Sequence, residues 1–194
     1  MINRKRTAYI VAVCVFVIAC VCVAVIRFGF AGDGVVIDPE TYYPVTYVVD
    51  GDTFKVKVES GNTKGGGGGS EADAHIITVR VLGINTPETV DPRKSVECYG
   101  PEASVEAKDL LNGRKVKLTF NPNRELKDKY GRYLAYVYRD DGLFYNEVMI
   151  KEGYAREYTY GSAYSMQGEF RDIEATAQKS KAGLWSACGA STKK

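Results

Sequence analysis

The chain has 194 residues, of which 45% are hydrophobic and 26% charged, enough for one compact domain with an appendage. Its formal net charge of +2 is unevenly distributed. Residues 1–27 hold four of the 26 basic side chains and no acidic one, and the remaining 22 basic and 24 acidic residues give a net charge of −2. The composition therefore excludes binding of a polyanion through a global positive charge, and any such function must depend on a local site.

An apolar run of nineteen residues, 8–26, follows a basic segment at residues 4–6. Such a run can cross a bilayer as a helix, and its basic flank predicts an N-terminus that stays in the cytoplasm. Residues 29–31 also match a signal-peptidase site, and residues 17–20 resemble a bacterial lipoprotein box, so cleavage, lipidation and retention remain open. We therefore expect residues 1–27 to be a signal or transmembrane anchor, which places the domain outside the cell membrane or makes it a secreted protein or lipoprotein.

The next elements are a linker and three strands. Residues 28–43 are predicted to form the linker, and residues 44–50 and 53–59 read as strands joined by a turn at Gly51. A Gly-rich stretch within residues 60–74 predicts a flexible loop, to which we assign no chemistry. Residues 76–84 are predicted to be the third strand.

The second half alternates helices with two further strands. Pro101 and Gly113 mark the start and stop of a helix, and residues 115–120 and 133–138 alternate as strands. Residues 146–152 predict a short helix. A last helix ends at Gly183 and has three apolar positions on one face, Phe170, Ile173 and Ala177.

This order of elements predicts an α+β fold, a five-stranded barrel of the OB type with about three helices, although other α+β domains fit the pattern as well. The expected domain spans residues 44–188, followed by a tail at 189–194. Two cysteines lie in it, Cys98 and Cys188, with no CxxC motif and one histidine in the whole chain. In an exported domain such a pair favours a disulfide over a metal site.

The segment 79–89, VRVLGINTPET, closes a strand pattern with an amide, a hydroxyl, a proline and an acid. Arg80 lies inside the apolar alternation, where an unpaired buried guanidinium would be costly, so it is expected to face a core or a cleft. The other polar residues considered for a site are each also explained, taken singly, as ordinary turn or loop residues: Asp52, Asn85, Glu88 and Arg132.

Five motifs together resemble the staphylococcal nuclease (thermonuclease) family, and they occur in order over about residues 44–186. They are DGDT at 50–53, VRVLGINTPET at 79–89, ECYGPEAS at 97–104, DKYGRYLAY at 128–136 and KAGLW at 181–185. The resemblance implies an OB-fold barrel with three helices and a calcium-dependent phosphodiesterase acting on DNA and RNA.

The resemblance also implies roles for individual residues. Asp52, Asn85 and the backbone carbonyl of Thr86 would be calcium ligands. Glu88 would orient the attacking water as the candidate base, and Arg80 and Arg132 would clasp the phosphate. The family more often has Asp at the position of Asn85, which makes this residue the main departure.

Physical chemistry supports the same assignments. The candidate ligands offer only oxygen atoms, which suit calcium better than zinc. A planar guanidinium grips two phosphate oxygens at once and stays charged. Lys129 and Tyr130 are predicted to contact a substrate that is preferably single-stranded, and the chain is expected to act as a monomer. The alternative is a barrel that binds nucleic acid or protein without cutting, since fold does not fix function.

Overall fold

The computed structural model describes residues 35–59 and 74–189. The chain divides into two compact units, Met1–Val36 and Ile37–Lys194, and the first is described only at its last two residues. The apolar run 8–26 and the Gly-rich stretch 65–70 lie outside the described residues. In the ranges that the structure does describe, no helix has both the length and the apolar character needed to cross a membrane.

A closed five-stranded barrel forms the centre of the second unit, which confirms the predicted barrel. Its strands follow the order β1-β2-β3-β6-β5, and all neighbours are antiparallel except β3 and β6, which are parallel. The two strands outside the barrel, β4 and β7, pair with each other. The strands are β1 (Tyr42–Val48), β2 (Thr53–Glu59), β3 (Ala74–Val81), β4 (Ile84–Asn85), β5 (Lys115–Thr119), β6 (Tyr133–Arg139) and β7 (Arg156–Glu157).

Four helices lie in the described part of the chain, one more than expected. The additional helix, α4, is a single turn close to the C-terminal end, in a segment that carried no helical periodicity. The helices are α1 (Gly100–Leu111), α2 (Tyr145–Lys151), α3 (Gln167–Ser180) and α4 (Leu184–Ala187).

The third strand is shorter at its C-terminal end than the expected span of 76–84, because β3 ends at Val81. Gly83 has a φ of 79°, and a Cβ there would lie 2.8 Å from the ring of Tyr164. The chain therefore turns at a position that favours glycine, and the two residues of β4 pair with β7 instead of continuing the barrel. The prediction of one continuous strand to Ile84 was wrong.

The first strand also differs from its expected span of 44–50, because it begins at Tyr42 and ends at Val48. The two extra residues at its start pair with β5, where Tyr42 lies opposite Lys117 and Tyr43 opposite Val116. This pairing closes the barrel, so the first strand extends into the segment that we expected to be a linker.

The period-two alternation of the sequence separates a barrel core from an outer face. The inward residues of β2 and β3 are almost fully buried, and they are Phe54, Val56, Val58, Ile77, Val79 and Val81. The residues between them point outward, Arg80 among them, because neighbouring residues of a strand face opposite sides of the sheet. The barrel thus fixes the side of the sheet on which Arg80 lies.

Candidate active site

Arg80 connects the end of β3 to the residues that follow it. Its Nη1 donates hydrogen bonds to the carbonyls of Val81 (2.8 Å) and Ile84 (2.7 Å), and its Nη2 donates to Asn85 Oδ1 (3.0 Å). Nη2 also forms an ion pair with Asp52 Oδ2 at 3.2 Å, and only 12% of the Arg80 side chain is exposed. Three hydrogen bonds and one ion pair thus engage both terminal nitrogens of the guanidinium, so the cation is paired and held in one orientation.

Asp52 is buried, and its carboxylate joins the turn between β1 and β2 to the VRVLGINTPET segment. Oδ2 accepts hydrogen bonds from the backbone N–H (2.9 Å) and the hydroxyl (3.3 Å) of Thr86, while Oδ1 accepts one from the Thr53 hydroxyl (3.0 Å). A Cβ added at Gly51 would lie 2.5 Å from Thr86 Cγ2. Glycine at this position therefore permits the close approach of the turn to Thr86.

Asn85 completes a cluster that contains all three proposed calcium ligands. Its Oδ1 accepts the hydrogen bond from Arg80, and its Nδ2 donates to the Thr86 carbonyl at 3.3 Å. Within the described ranges, no three His, Cys, Asp or Glu side chains converge as a metal site. The cluster instead combines the carboxylate of Asp52 with the amide oxygen of Asn85 and the backbone carbonyl of Thr86. Oxygen ligands of these kinds fit calcium.

Glu88 lies in the loop after the cluster with one carboxylate oxygen anchored. Its Oε1 accepts hydrogen bonds from the backbone N–H groups of Thr89 (2.9 Å), Val90 (2.8 Å) and Asp91 (3.0 Å). Partial burial acts to raise the pKa of Glu88, but these three hydrogen bonds and the charge of Lys94 outweigh burial and leave the pKa below its ordinary value. Glu88 is therefore ionised at neutral pH, with Oε2 making no hydrogen bond to the described residues.

Arg132 is oriented by Asp128 rather than by the Arg80 cluster. Its Nε and Nη2 each lie 2.7 Å from Asp128 Oδ2, and its guanidinium lies 5.3 Å from the ring centroid of Tyr130. Tyr130 is 71% exposed, and Lys129 Nζ also lies 5.0 Å from the centroid of its ring. The three residues of this loop that were predicted to contact substrate are thus together, and among the described residues no hydrogen bond or ion pair links them to the Arg80 cluster.

The barrel nevertheless brings this loop toward β3. Tyr133, directly after Arg132, is the register partner of Val79 in the parallel pair of β3 and β6. Leu134 is in turn the partner of Arg80. Arg132 therefore directly precedes the strand that pairs with the strand of Arg80, although the two arginines are 52 positions apart in the sequence.

Two residues of the site were missed by the sequence analysis. Asp50 Oδ1 accepts a hydrogen bond from the backbone N–H of Asp52 at 3.1 Å, and burial together with the charge of Asp52 raises the pKa of Asp50 to about 6. Its position as the first acid of DGDT was the available signal. Tyr145 is fully buried and donates a hydrogen bond to the Gly51 carbonyl at 2.7 Å, and no feature of the sequence indicated this long-range contact.

Replacing Tyr145 with Phe is expected to lower the free energy of unfolding by about 1–3 kcal/mol, because the buried Gly51 carbonyl loses its donor. Urea unfolding measures this difference. Tyr138→Phe is the matched control, since the Tyr138 hydroxyl makes no hydrogen bond to the described residues and its ring stacks on Phe144 at 4.5 Å. Equal stability losses in the two variants would contradict a specific role for the hydrogen bond to Gly51.

Comparison with known proteins identifies the family. A family model described as staphylococcal nuclease homologue matches residues 78–187. The chain is also 35% identical over 177 residues to the thermonuclease of Staphylococcus hyicus, an alignment that covers 89% of this chain and 95% of that protein. The chain belongs to the staphylococcal nuclease family. The matched segment contains the cluster residues from Arg80 to Thr86, as well as Glu88 and Arg132.

Two proteins of Bacillus subtilis (strain 168) each match about three quarters of the chain. The SPbeta prophage-derived endonuclease YokF is 40% identical over 142 residues, which cover 73% of this chain and 43% of that protein. Endonuclease YncB is 39% identical over 142 residues, which cover 73% of this chain and 60% of that protein. The alignments thus span less than two thirds of these two nuclease family members and nearly all of the S. hyicus protein.

Proposed function

We propose that this chain is a calcium-dependent nuclease that hydrolyses phosphodiester bonds in DNA and RNA outside the cytoplasm. The observation that carries the proposal is the cluster in which Arg80 joins Asp52 to Asn85, with the ionised Glu88 in the following loop. Thermonuclease and endonuclease are also the names of the relatives described above. These observations support hydrolysis over binding alone.

The proposed division of labour follows from the charges of the site. Arg80 and Arg132 bind the phosphate and stabilise the negative charge that develops on its oxygens. Among the described residues no partner takes the Nε–H of Arg80, so it can make this contact, and Arg80 can add an Nη proton by releasing Asp52. Arg132 is fixed through Nε and Nη2, and its Nη1 has no hydrogen-bond partner among the described residues. Glu88 accepts a hydrogen bond from the attacking water through Oε2 and orients it.

The proposed cofactor is calcium, which fits the oxygen ligands gathered beside the DGDT turn. Asp52, Asn85 and the Thr86 carbonyl would hold calcium, and all three lie in one hydrogen-bonded cluster. A bound calcium ion would neutralise charge on the phosphoryl group. Asp50 accepts a hydrogen bond from the backbone N–H of Asp52, and Tyr145 keeps the turn in place through its hydrogen bond to Gly51.

Changing Arg80 or Arg132 to lysine is expected to lower kcat/KM by about a hundredfold, because an ammonium group cannot form the bidentate contact. Cleavage of single-stranded DNA in calcium, compared with a chelator, measures this effect. Arg114→Lys is the control, because it makes the same substitution at an exposed residue between α1 and β5, away from the proposed site. If both site variants cut at the parent rate, the arginines do not bind the phosphate as proposed.

Changing Asn85 to Asp is expected to lower the calcium concentration for half-saturation about ten- to a hundredfold, because calcium affinity rises with the negative charge of the ligands. Isothermal titration calorimetry measures the binding directly, and the calcium-dependent rise of Tm measures it independently of activity. The saturated rate should change much less. Unchanged affinity would mean that Asn85 only holds the turn through Arg80 and Thr86, its two partners in the structure.

The proposal extends to the rest of the chain. Residues 1–27 serve as the signal or membrane anchor, the substrate strand is preferably single-stranded, and the enzyme acts as a monomer. Protease treatment of intact cells or spheroplasts tests the location, since an exported domain is removed by external protease. Protection of the domain would contradict export.

A further inference from the structure

The outer face of β2 and β3 continues away from Arg80 in a regular ladder. The register places Arg80 opposite Thr53, Thr78 opposite Lys55, and Ile76 opposite Lys57. Directly opposed residues of antiparallel strands lie on the same face, and alternate residues of one strand share that face. Lys55 and Lys57 therefore lie on the same side of the sheet as Arg80, about 7 and 13 Å along β2 from Thr53.

An exposed tyrosine and an exposed isoleucine adjoin these lysines. Tyr47 of β1 is the register partner of Lys55 and is 59% exposed, and Ile76, the partner of Lys57, is 55% exposed. We call the four residues Tyr47, Lys55, Lys57 and Ile76 the outer track. Each lysine of the outer track therefore has a large, solvent-exposed hydrophobic or aromatic residue as its cross-strand neighbour.

The lysines of the outer track are not neutralised by the described residues. Neither takes part in an ion pair among the residues described. Within β1, β2 and β3 the one acidic residue is Glu59, which ends β2 at the end distant from Arg80. The face therefore presents two positive charges without a counter-charge between them and the proposed site.

We propose that the outer track binds single-stranded nucleic acid and continues the substrate strand beyond the phosphate held at Arg80. This inference rests on the proposed function and adds a binding site to it. Lysines would contact successive phosphates, and Tyr47 would stack on a base, which is how proteins bind single strands without reading their sequence. A protein partner fits the face less well, because lysine is depleted at the centre of protein interfaces.

The sheet order gives the direction of the strand. The Lys129–Tyr130 loop leads into β6 on one side of β3, whereas the two lysines and the tyrosine of the outer track lie on β2 and β1 on the other side, with Ile76 on β3 itself. A strand that contacts both therefore crosses β3 at Arg80. Substrates long enough to reach the outer track are bound more tightly than short ones.

The double variant Lys55→Gln with Lys57→Gln tests the proposal. Binding of a labelled oligothymidylate of about 20 nucleotides, longer than one OB fold covers, is followed by fluorescence anisotropy in a chelator at several salt concentrations. We expect the slope of log affinity against log salt to become shallower by about 1.4, since each single-strand phosphate contact contributes about 0.7. Tyr47→Ser should weaken binding about tenfold and leave the slope unchanged.

Lys108→Gln with Lys179→Gln is the matched control, because it removes the same charge from exposed positions on α1 and α3. The control should keep the parent slope. In calcium, the ratio of kcat/KM for the long strand to that for a dinucleotide should fall in the outer-track variant and not in the control. Equal slopes in the outer-track variant and the control would overturn the proposal, as would a parent protein that binds no oligonucleotide.

These measurements separate the outer track from the proposed function. A parent protein that binds the long strand but cuts nothing in calcium would contradict the nuclease function. In that case the slope of log affinity against log salt would still show whether the outer track binds the strand, because anisotropy in a chelator requires no cleavage.

Discussion

Replacing Glu88 with glutamine is expected to lower kcat by about 10²–10⁴-fold and to leave the fold unchanged. The amide oxygen of glutamine can accept the same three backbone hydrogen bonds that Glu88 Oε1 accepts from residues 89–91. The substitution therefore keeps the loop and removes the negative charge and the acceptor at Oε2. The loss should appear in kcat, since the water is oriented only when the substrate is in place.

Steady-state kinetics at saturating calcium measure this effect, and circular dichroism with Tm checks the fold. Glu97→Gln is the matched control: Glu97 Oε2 accepts the backbone N–H of Glu88 at 3.1 Å, so it belongs to the same loop without a proposed contact with substrate. The control should cut at nearly the parent rate. Cleavage by Glu88→Gln at the parent rate would remove Glu88 from the mechanism.

Reduction of the disulfide between Cys98 and Cys188 is expected to lower the free energy of unfolding by about 4–5 kcal/mol. The structure joins these residues with a Cα–Cα separation of 5.9 Å, which lies within the usual range, across 90 positions of sequence. The bond ties the segment before α1 to the residue after α4. Breaking it frees a long loop in the unfolded chain, so the unfolded state gains entropy.

Urea unfolding with and without a reducing agent measures the difference. The double variant Cys98→Ser with Cys188→Ser should match the reduced protein and should not respond to the reducing agent. Intact mass after alkylation gives the state of the exported protein directly. Two alkylated thiols at these positions in that protein would contradict the disulfide.

The sequence indicated the barrel because its strands alternate with period two, and the buried residues of β2 and β3 follow that alternation. It did not indicate the break at Gly83, since residues 76–84 read as one strand and the contact of Gly83 with Tyr164 joins positions distant in the sequence. Helix α4 was missed because a single turn of four residues is too short for helical periodicity.

For the site too, the sequence indicated local motifs but not the contacts between distant residues. The motifs predicted that Asp52 and Thr86 belong to one calcium site, and the structure joins the two residues by hydrogen bonds across 34 positions of sequence. The contact of Tyr145 with Gly51 spans 94 positions and depends on the packing of α2 against the barrel, which local pattern does not encode. Arg80 was expected to bind phosphate, and the structure adds that three hydrogen bonds and one ion pair of its guanidinium also hold the surrounding segments together.

The most direct test of the account is the initial rate of single-stranded DNA cleavage by the purified chain in a calcium titration that starts from excess chelator. The account predicts a rate in chelator no higher than that of Glu88→Gln, followed by a saturable rise with calcium. Parent-level cleavage in chelator would contradict the calcium requirement. No cleavage at any calcium concentration, by a folded protein that still binds the DNA, would contradict the nuclease function and favour a binding module.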